Sequence, residues 1–158
     1  MKTIGFEETD TMSFKNAVDS IPDFYGGYCK GLKAMKADSS KIIATDNRCL
    51  SGSVDIDTCT KQKYPSEARW DYAIGYKEKA YFVEVHSANT SDIKEMLKKA
   101  SWLECWLKTD GKALEMIRKD ELLFWVPSGK VKIIKTSPQY RRLSTKRIVI
   151  TSNPFRLE

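Results

Sequence analysis

The spacing of apolar residues predicts an α/β protein, a mixed central sheet flanked by helices in the order α-β-β-β-α-β. Three observations carry this expectation. A helix-spaced segment opens the pattern at 13–21, residues 51–88 then alternate with the strand period of two, and a long amphipathic stretch follows at once at 90–108. Three strands, then a helix that returns to a further strand, suit a meander extended by a crossover. The chain has 158 residues, 41% of them hydrophobic. That is enough for one core, so residues 1–158 are expected to form a single domain.

Element by element, "SFKNAVDSI" has Ser13 as helix cap and Phe14, Ala17, Val18 and Ile21 on one face. Pro22 and the Gly26–Gly27 pair end it. A second helix is expected through "YCKGLKAMK", closed by "ADSS". In "SGSVDIDTCTK", Val54 and Ile56 alternate with Asp55 and Asp57, a first strand. In "RWDYAIGYK", Trp70, Tyr72, Ile74 and Tyr76 take one face and Asp71, Ala73 and Gly75 the other. In "KAYFVEVHSA", Tyr81, Val83 and Val85 lie opposite Phe82, Glu84 and His86. The charged turn "YKEKA" makes the last two strands an antiparallel hairpin.

"TSDIKEMLKKASWLECWLK" is the clearest helix, capped by Ser91 or Asp92. Ile93, Met96, Leu97, Ala100, Leu103 and Leu107 form its apolar stripe, with Trp102 and Trp106 on the flank as packing residues. "KALEMIRK" predicts a short helix. "LLFWVPSGKVKIIK" predicts a strand, a Pro-Ser-Gly turn and another strand. "SPQYRRLS" predicts a helical turn, "KRIVITS" a final strand and "NPFRLE" a tail.

The N-terminal "MKTIGFEETD" is polar and acidic, without the apolar centre of a secretion signal, and the longest strongly apolar run is about "LLFWV". A cytoplasmic protein with no membrane partner is therefore expected. Cys29, Cys49, Cys59 and Cys105 make no CxxC pair, and with a single histidine they do not suit a zinc knuckle; buried free thiols are the expectation. The net charge of +6 is uneven. Residues 129–158 carry eight Lys or Arg against Glu158, a net of +7 that leaves about −1 elsewhere. Clustered cations attract polyanions, and Lys130, Lys132, Arg141, Arg142, Lys146 and Arg147 are the candidate nucleic-acid contacts. A solvated basic surface is the competing explanation.

The chemistry-bearing residues sit on the hairpin. Carboxylates on adjacent antiparallel strands approach closely when opposite or diagonal, and unpaired they repel. A hard divalent cation relieves that repulsion, and Mg²⁺ is often held by one or two carboxylates, water and a phosphate oxygen. Asp71 and Glu84 are such a pair, the Val85 carbonyl is a further donor, and His86 shares the Glu84 face. Asp55 and Asp57 are additional acids of the first strand. Ion pairs with Arg69, Lys98 or Lys99 are the alternative fate of Asp71 and Glu84.

In element order and in Asp71 followed by Glu84-Val85-His86, residues 51–107 and the preceding helix resemble the PD-(D/E)XK nuclease-like superfamily. The resemblance implies a restriction-endonuclease-like core with Mg²⁺ or Mn²⁺ on Asp71, Glu84 and Val85. It implies hydrolysis of DNA or RNA phosphodiester bonds, with His86 as base or ligand. His86 stands where that family has lysine. Some members carry that lysine on the following helix, which points to Lys98 or Lys99, with Lys99 taken as the site residue. The competing expectations are a nuclease-like domain without catalysis that binds nucleic acid or protein, and a protein-interaction domain.

Overall fold

A computed structural model describes residues 12–158; the acidic N-terminal segment lies outside them. Helix α1 (Phe14–Ser20) is followed by β1 (Cys29–Lys30), β2 (Ile42–Ala44), β3 (Leu50–Asp55), α2 (Ile56–Thr60), β4 (Tyr72–Tyr76) and β5 (Lys79–Asn89). Then come α3 (Ile93–Lys108), α4 (Lys112–Glu115), β6 (Arg118–Lys132), α5 (Pro138–Arg142), β7 (Ile148–Ile150) and β8 (Phe155–Leu157). The expected order of helix, three strands, helix and strand is present as α1, β3, β4, β5, α3 and β6.

The main sheet is mixed and six-stranded, in the order β1-β3-β4-β5-β6-β7. Its first three pairings are antiparallel, and β5-β6 and β6-β7 are parallel. One face carries α1 and α3, whose Phe14, Ala17, Met96, Ala100 and Leu103 pack with Phe82 and Trp125. The other carries the 3₁₀ helix Lys33–Lys41 and a parallel β2-β8 ribbon, which cover Ile74, Tyr76, Val83 and Phe124 with Met35, Ile42 and Leu157. Ser13 caps α1 as expected, accepting from the Asn16 N–H at 3.1 Å. The β4-β5 hairpin closes through Lys77 and Glu78, both left-handed at φ 52° and 59°. This backbone suits the right-handed twist of the strands but strains a residue bearing a Cβ. Glu78 offsets the strain by accepting the Phe14 N–H at 2.9 Å, which ties the turn to α1.

Several expectations are corrected. The second helix is instead β1, a left-handed Gly31 at φ 56°, and the 3₁₀ helix, which runs through "ADSS" rather than stopping there. The first strand stops at Asp55, because its side chain caps α2, accepting from the Thr58 N–H and hydroxyl at 2.9 Å each. Trp70 lies in the α1/α3 cluster while Ile74 and Tyr76 lie in the other, so the alternation does not extend back through Trp70. The Pro-Ser-Gly turn is absent: β6 runs unbroken through it, with Pro127 opposite His86 and the register shift beyond it absorbing the irregularity. "KRIVITS" is not the last strand, since "NPFRLE" forms β8 on the previously unassigned β2.

At Gly75, on the α1 side of β4, an added Cβ would collide with the Phe14 ring and Ser51 Oγ, whereas Gly129 faces open space. Gly75→Ala should lower unfolding free energy by about 1–3 kcal/mol. Gly129→Ala should change it by less than about 0.5 kcal/mol. Urea denaturation of both variants checks this.

Candidate active site

The site lies where the β4-β5 ladder ends. Tyr72 pairs with Val83, so the same register places Asp71 opposite Glu84. Side chains take over there from the backbone. The Asp71 N–H donates to Glu84 Oε1 at 3.0 Å, and the Val85 N–H donates to Asp71 Oδ2 at 3.1 Å. The Asp71 carbonyl accepts the Ile56 and Asp57 N–H groups at 2.8 and 3.3 Å, which holds the strand entrance against the start of α2. Asp71 and Glu84 are therefore on one side of the sheet, as expected.

Helix α3 supplies the cation. An Asn89/Asp92 capping box and one 3₁₀ turn, rather than Ser91, start it, and its buried stripe includes Ile93, Met96, Ala100, Leu103 and Leu107. Packing that stripe on the sheet brings Lys99, next to Ala100, against the hairpin end. The Lys99 ammonium is 2.9 Å from Glu84 Oε2 and donates to the Arg69 carbonyl at 3.1 Å. Glu84 is 1% exposed and Lys99 16%. The ion-pair alternative thus holds for Glu84, while Arg69 bonds Asp57 at 2.7 Å and not Asp71. Among the described residues Asp71 has no ion pair.

Burial is the leading influence on all three groups. It pushes the Asp71 carboxyl up to about 6, against the opposing pull of Lys99 and the Val85 N–H. For Glu84, burial and then repulsion from Asp71 outweigh Lys99, and its pKa lies well above the usual carboxylate range. At Lys99, burial lowers the pKa, but Glu84 and Asp71 outweigh it and the ammonium is held above its ordinary value. The cluster sets two acids with raised pKa values against an ammonium whose own pKa is raised.

Other candidates lie apart from this contact. His86 Nδ1 is 2.9 Å from the Ser87 carbonyl and 3.3 Å from its hydroxyl, and the ring packs edge-on to Trp125. Lys98 is exposed. Asp55 is spent on its cap and Asp57 on Arg69. Among the described residues no three His, Cys, Asp or Glu side chains gather as a metal-binding group. Arg141 and Arg142 project from α5, Lys146 and Arg147 lie in and just after the next 3₁₀ turn, and Lys130 and Lys132 occupy the exposed end of β6. The cysteines are free, three half-buried and Cys105 exposed where burial was expected. Two contacts escaped the sequence reading: the Arg69–Asp57 clip, and Arg118, held at 2.7 Å by Glu104 and 3.2 Å by Glu115. Of these, only the Glu115–Arg118 spacing of three signals contact locally.

In comparisons with known proteins, no family model, curated protein or solved structure matches the chain. Among the described residues no helix is long and apolar enough to cross a membrane.

The raised acids set a pH dependence. Asp71 binds a proton more tightly in the fold, near 6, than at its ordinary 3.8. Its contribution to stability is therefore present at low pH and lost as pH rises through about 4 to 6. Relative to Asp71→Asn, the wild type should gain unfolding free energy as pH falls across that window, measured by urea denaturation. Lys99→Met leaves both acids without their cation, and should lose as much as about 3 kcal/mol at neutral pH and less where the acids are protonated.

Proposed function

We propose that this chain is a metal-dependent nuclease of the PD-(D/E)XK type, hydrolysing phosphodiester bonds of DNA or RNA, with α1, β3, β4, β5, α3 and β6 as its restriction-endonuclease-like core. One observation carries the reading: a helix-borne ammonium, Lys99, stands 2.9 Å from Glu84 where Glu84 lies opposite Asp71. A salt bridge alone would need one acid. Here a second, half-buried carboxylate lies beside it with no ion pair of its own among the described residues, and burial raises the pKa of both acids.

The donors suit Mg²⁺ or Mn²⁺. Asp71 Oδ2 and both Glu84 oxygens have protein partners, and among the described residues no N–H or hydroxyl donates to Asp71 Oδ1. The Val85 N–H points at Asp71, and in an extended strand the carbonyl of the same residue leaves on the same side. Asp71, Glu84 and the Val85 carbonyl would hold the ion, with water and a substrate phosphate completing its shell. Such an ion polarises the scissile phosphate and lowers the pKa of an attacking water. Lys99 neutralises phosphate charge from the helix side, and its bond to the Arg69 carbonyl fixes where it stands. In this reading Lys99, not His86, replaces the strand lysine, and the cation of the site is permanent.

The burial of Glu84 at 1% exposure favours a second reading, a nuclease-like domain that binds nucleic acid or protein without cutting. Assays with Mg²⁺ and with Mn²⁺ on single-stranded DNA, duplex DNA and RNA separate the two. Cleavage should vanish in Glu84→Gln and fall by at least about a hundredfold in Lys99→Ala, as for removal of a transition-state charge partner. His86→Ala should stay within about tenfold of wild type. Either ion should raise the melting temperature of the wild type by mass action, and Asp71→Asn should abolish that rise. A metal response without cleavage selects the binding module; neither response leaves a purely structural ion pair.

A further inference from the structure

A cleft of about 1060 Å³ runs along the outer face of α3, bounded on its far side by residues 64–68. A recess of about 370 Å³ continues it past Lys94, Leu97 and Arg142 to Thr90 and Ser91. Three cations line the cleft, Lys94 and Lys98 from α3 and Arg142 from α5, together with the acids Glu67 and Glu95. Lys94 and Lys98 are one turn apart on the same helix face, about 6 Å along its axis. An extended sugar–phosphate backbone matches that spacing.

Between these charges the cleft wall is aromatic: the half-buried Tyr64 meets the edge of Trp102 at 5.6 Å, and Trp102, 8% exposed, stacks on the buried Trp106 at 5.9 Å, so Tyr64 and the rim of Trp102 are what the cleft presents. Tyr64 is braced from outside the cleft: its hydroxyl donates to Asp110 at 2.6 Å, and Lys63 bonds the same carboxylate at 2.7 Å. Both walls lead along the chain into the acidic site. Ala68 precedes Arg69, whose carbonyl holds Lys99, and Lys98 precedes Lys99 itself.

We propose that this cleft binds single-stranded nucleic acid, with phosphates on Lys94, Lys98 and Arg142 and an unpaired base against the half-buried Tyr64 and the exposed rim of Trp102. Cations flanking an aromatic wall match the alternation of phosphate and base in a single strand. In a duplex the bases are paired and stacked inside and cannot reach such a wall. An acidic peptide would satisfy the cations but would leave the aromatic wall unused. The inference deepens the nuclease reading by naming its substrate class, although binding in the cleft does not itself require catalysis.

The test is fluorescence anisotropy in EDTA with the Glu84→Gln protein, using labelled oligothymidine, oligouridine and a DNA duplex of the same length. The single strands should bind at least about tenfold more tightly than the duplex and quench tryptophan emission. Joint replacement of Lys94, Lys98 and Arg142 by alanine should reduce the slope of log K against log salt by about 2, since each lost single-strand phosphate contact removes about 0.7. Cys105→Glu, a change at an exposed position lining the cleft, should weaken binding about tenfold without altering the melting temperature. Lys33→Ala, under the opposite sheet face, should leave binding unchanged. Duplex binding as tight as single-strand binding, an unchanged slope in the triple variant, no binding at low salt, or equal competition by polyglutamate would each overturn the proposal. Cleft binding with no cleavage by the wild type removes the nuclease reading alone. Cleavage with binding unaffected by the cleft variants removes the cleft alone.

Discussion

Two carboxylates and one ammonium share the end of the β4-β5 ladder, one acid buried and the other two groups half-buried, and the surrounding chain is arranged to keep them together. Burying an unpaired charge is expensive enough that a fold either pairs it or neutralises it. Glu84 has Lys99 at 2.9 Å, and Asp71, only half-buried, accepts the Val85 N–H at 3.1 Å while burial raises its pKa to about 6. The backbone benefits from the same arrangement, because the strand-end N–H groups of Asp71 and Val85 would otherwise lack partners. The acids thus extend the sheet by one residue pair with side chains in place of peptide groups.

That arrangement depends on where α3 sits. Its apolar stripe beds on Phe82, Trp125 and the α1 residues, so its height over the sheet is set by core packing and not by the ion pair. Arg118, 5% exposed, clips Glu104 of α3 to the start of β6, and its guanidinium lies 5.8 Å from the Phe82 ring centre. The Arg69–Asp57 bond does the same for the loop whose carbonyl receives Lys99. Positioning of the charged atoms is inherited from these neutral or already paired contacts, which is how a short polar cluster becomes rigid.

Helix α3 consequently has three different faces. One is apolar and buried, one presents Lys99 to the acids, and one presents Lys94 and Lys98 to the cleft. A phosphate chain lying along the third face would pass within one residue of the second. The basic excess of residues 129–158 divides on folding: Arg142 joins the cleft, whereas Lys130 and Lys132 end on the far part of β6. Local charge geometry, more than the total of +7, decides which cations face a ligand.

Local periodicity determined much of this protein. The β4-β5 hairpin, the α3 stripe, the Ser13 cap and the placing of Asp71 and Glu84 on one side of the sheet all follow from periods of two and 3.6 over a few residues. Where a local signal had two outcomes, it misled. Val54 and Ile56 alternate like a strand, yet Asp55 caps a helix between them; Pro127 and Gly129 look like a turn, yet β6 passes through. The β2-β8 ribbon had no local signal, because strands this short are stabilised only by a partner over a hundred residues away. The sequence offered Lys98 beside Lys99 with no physical reason to separate them, and the choice of Asp57 over Asp71 as the partner of Arg69 was outside its reach. Adjacent residues on a helix differ by about 100° in direction, and only the packing of α3 against the sheet decides which of two neighbouring lysines meets a buried acid.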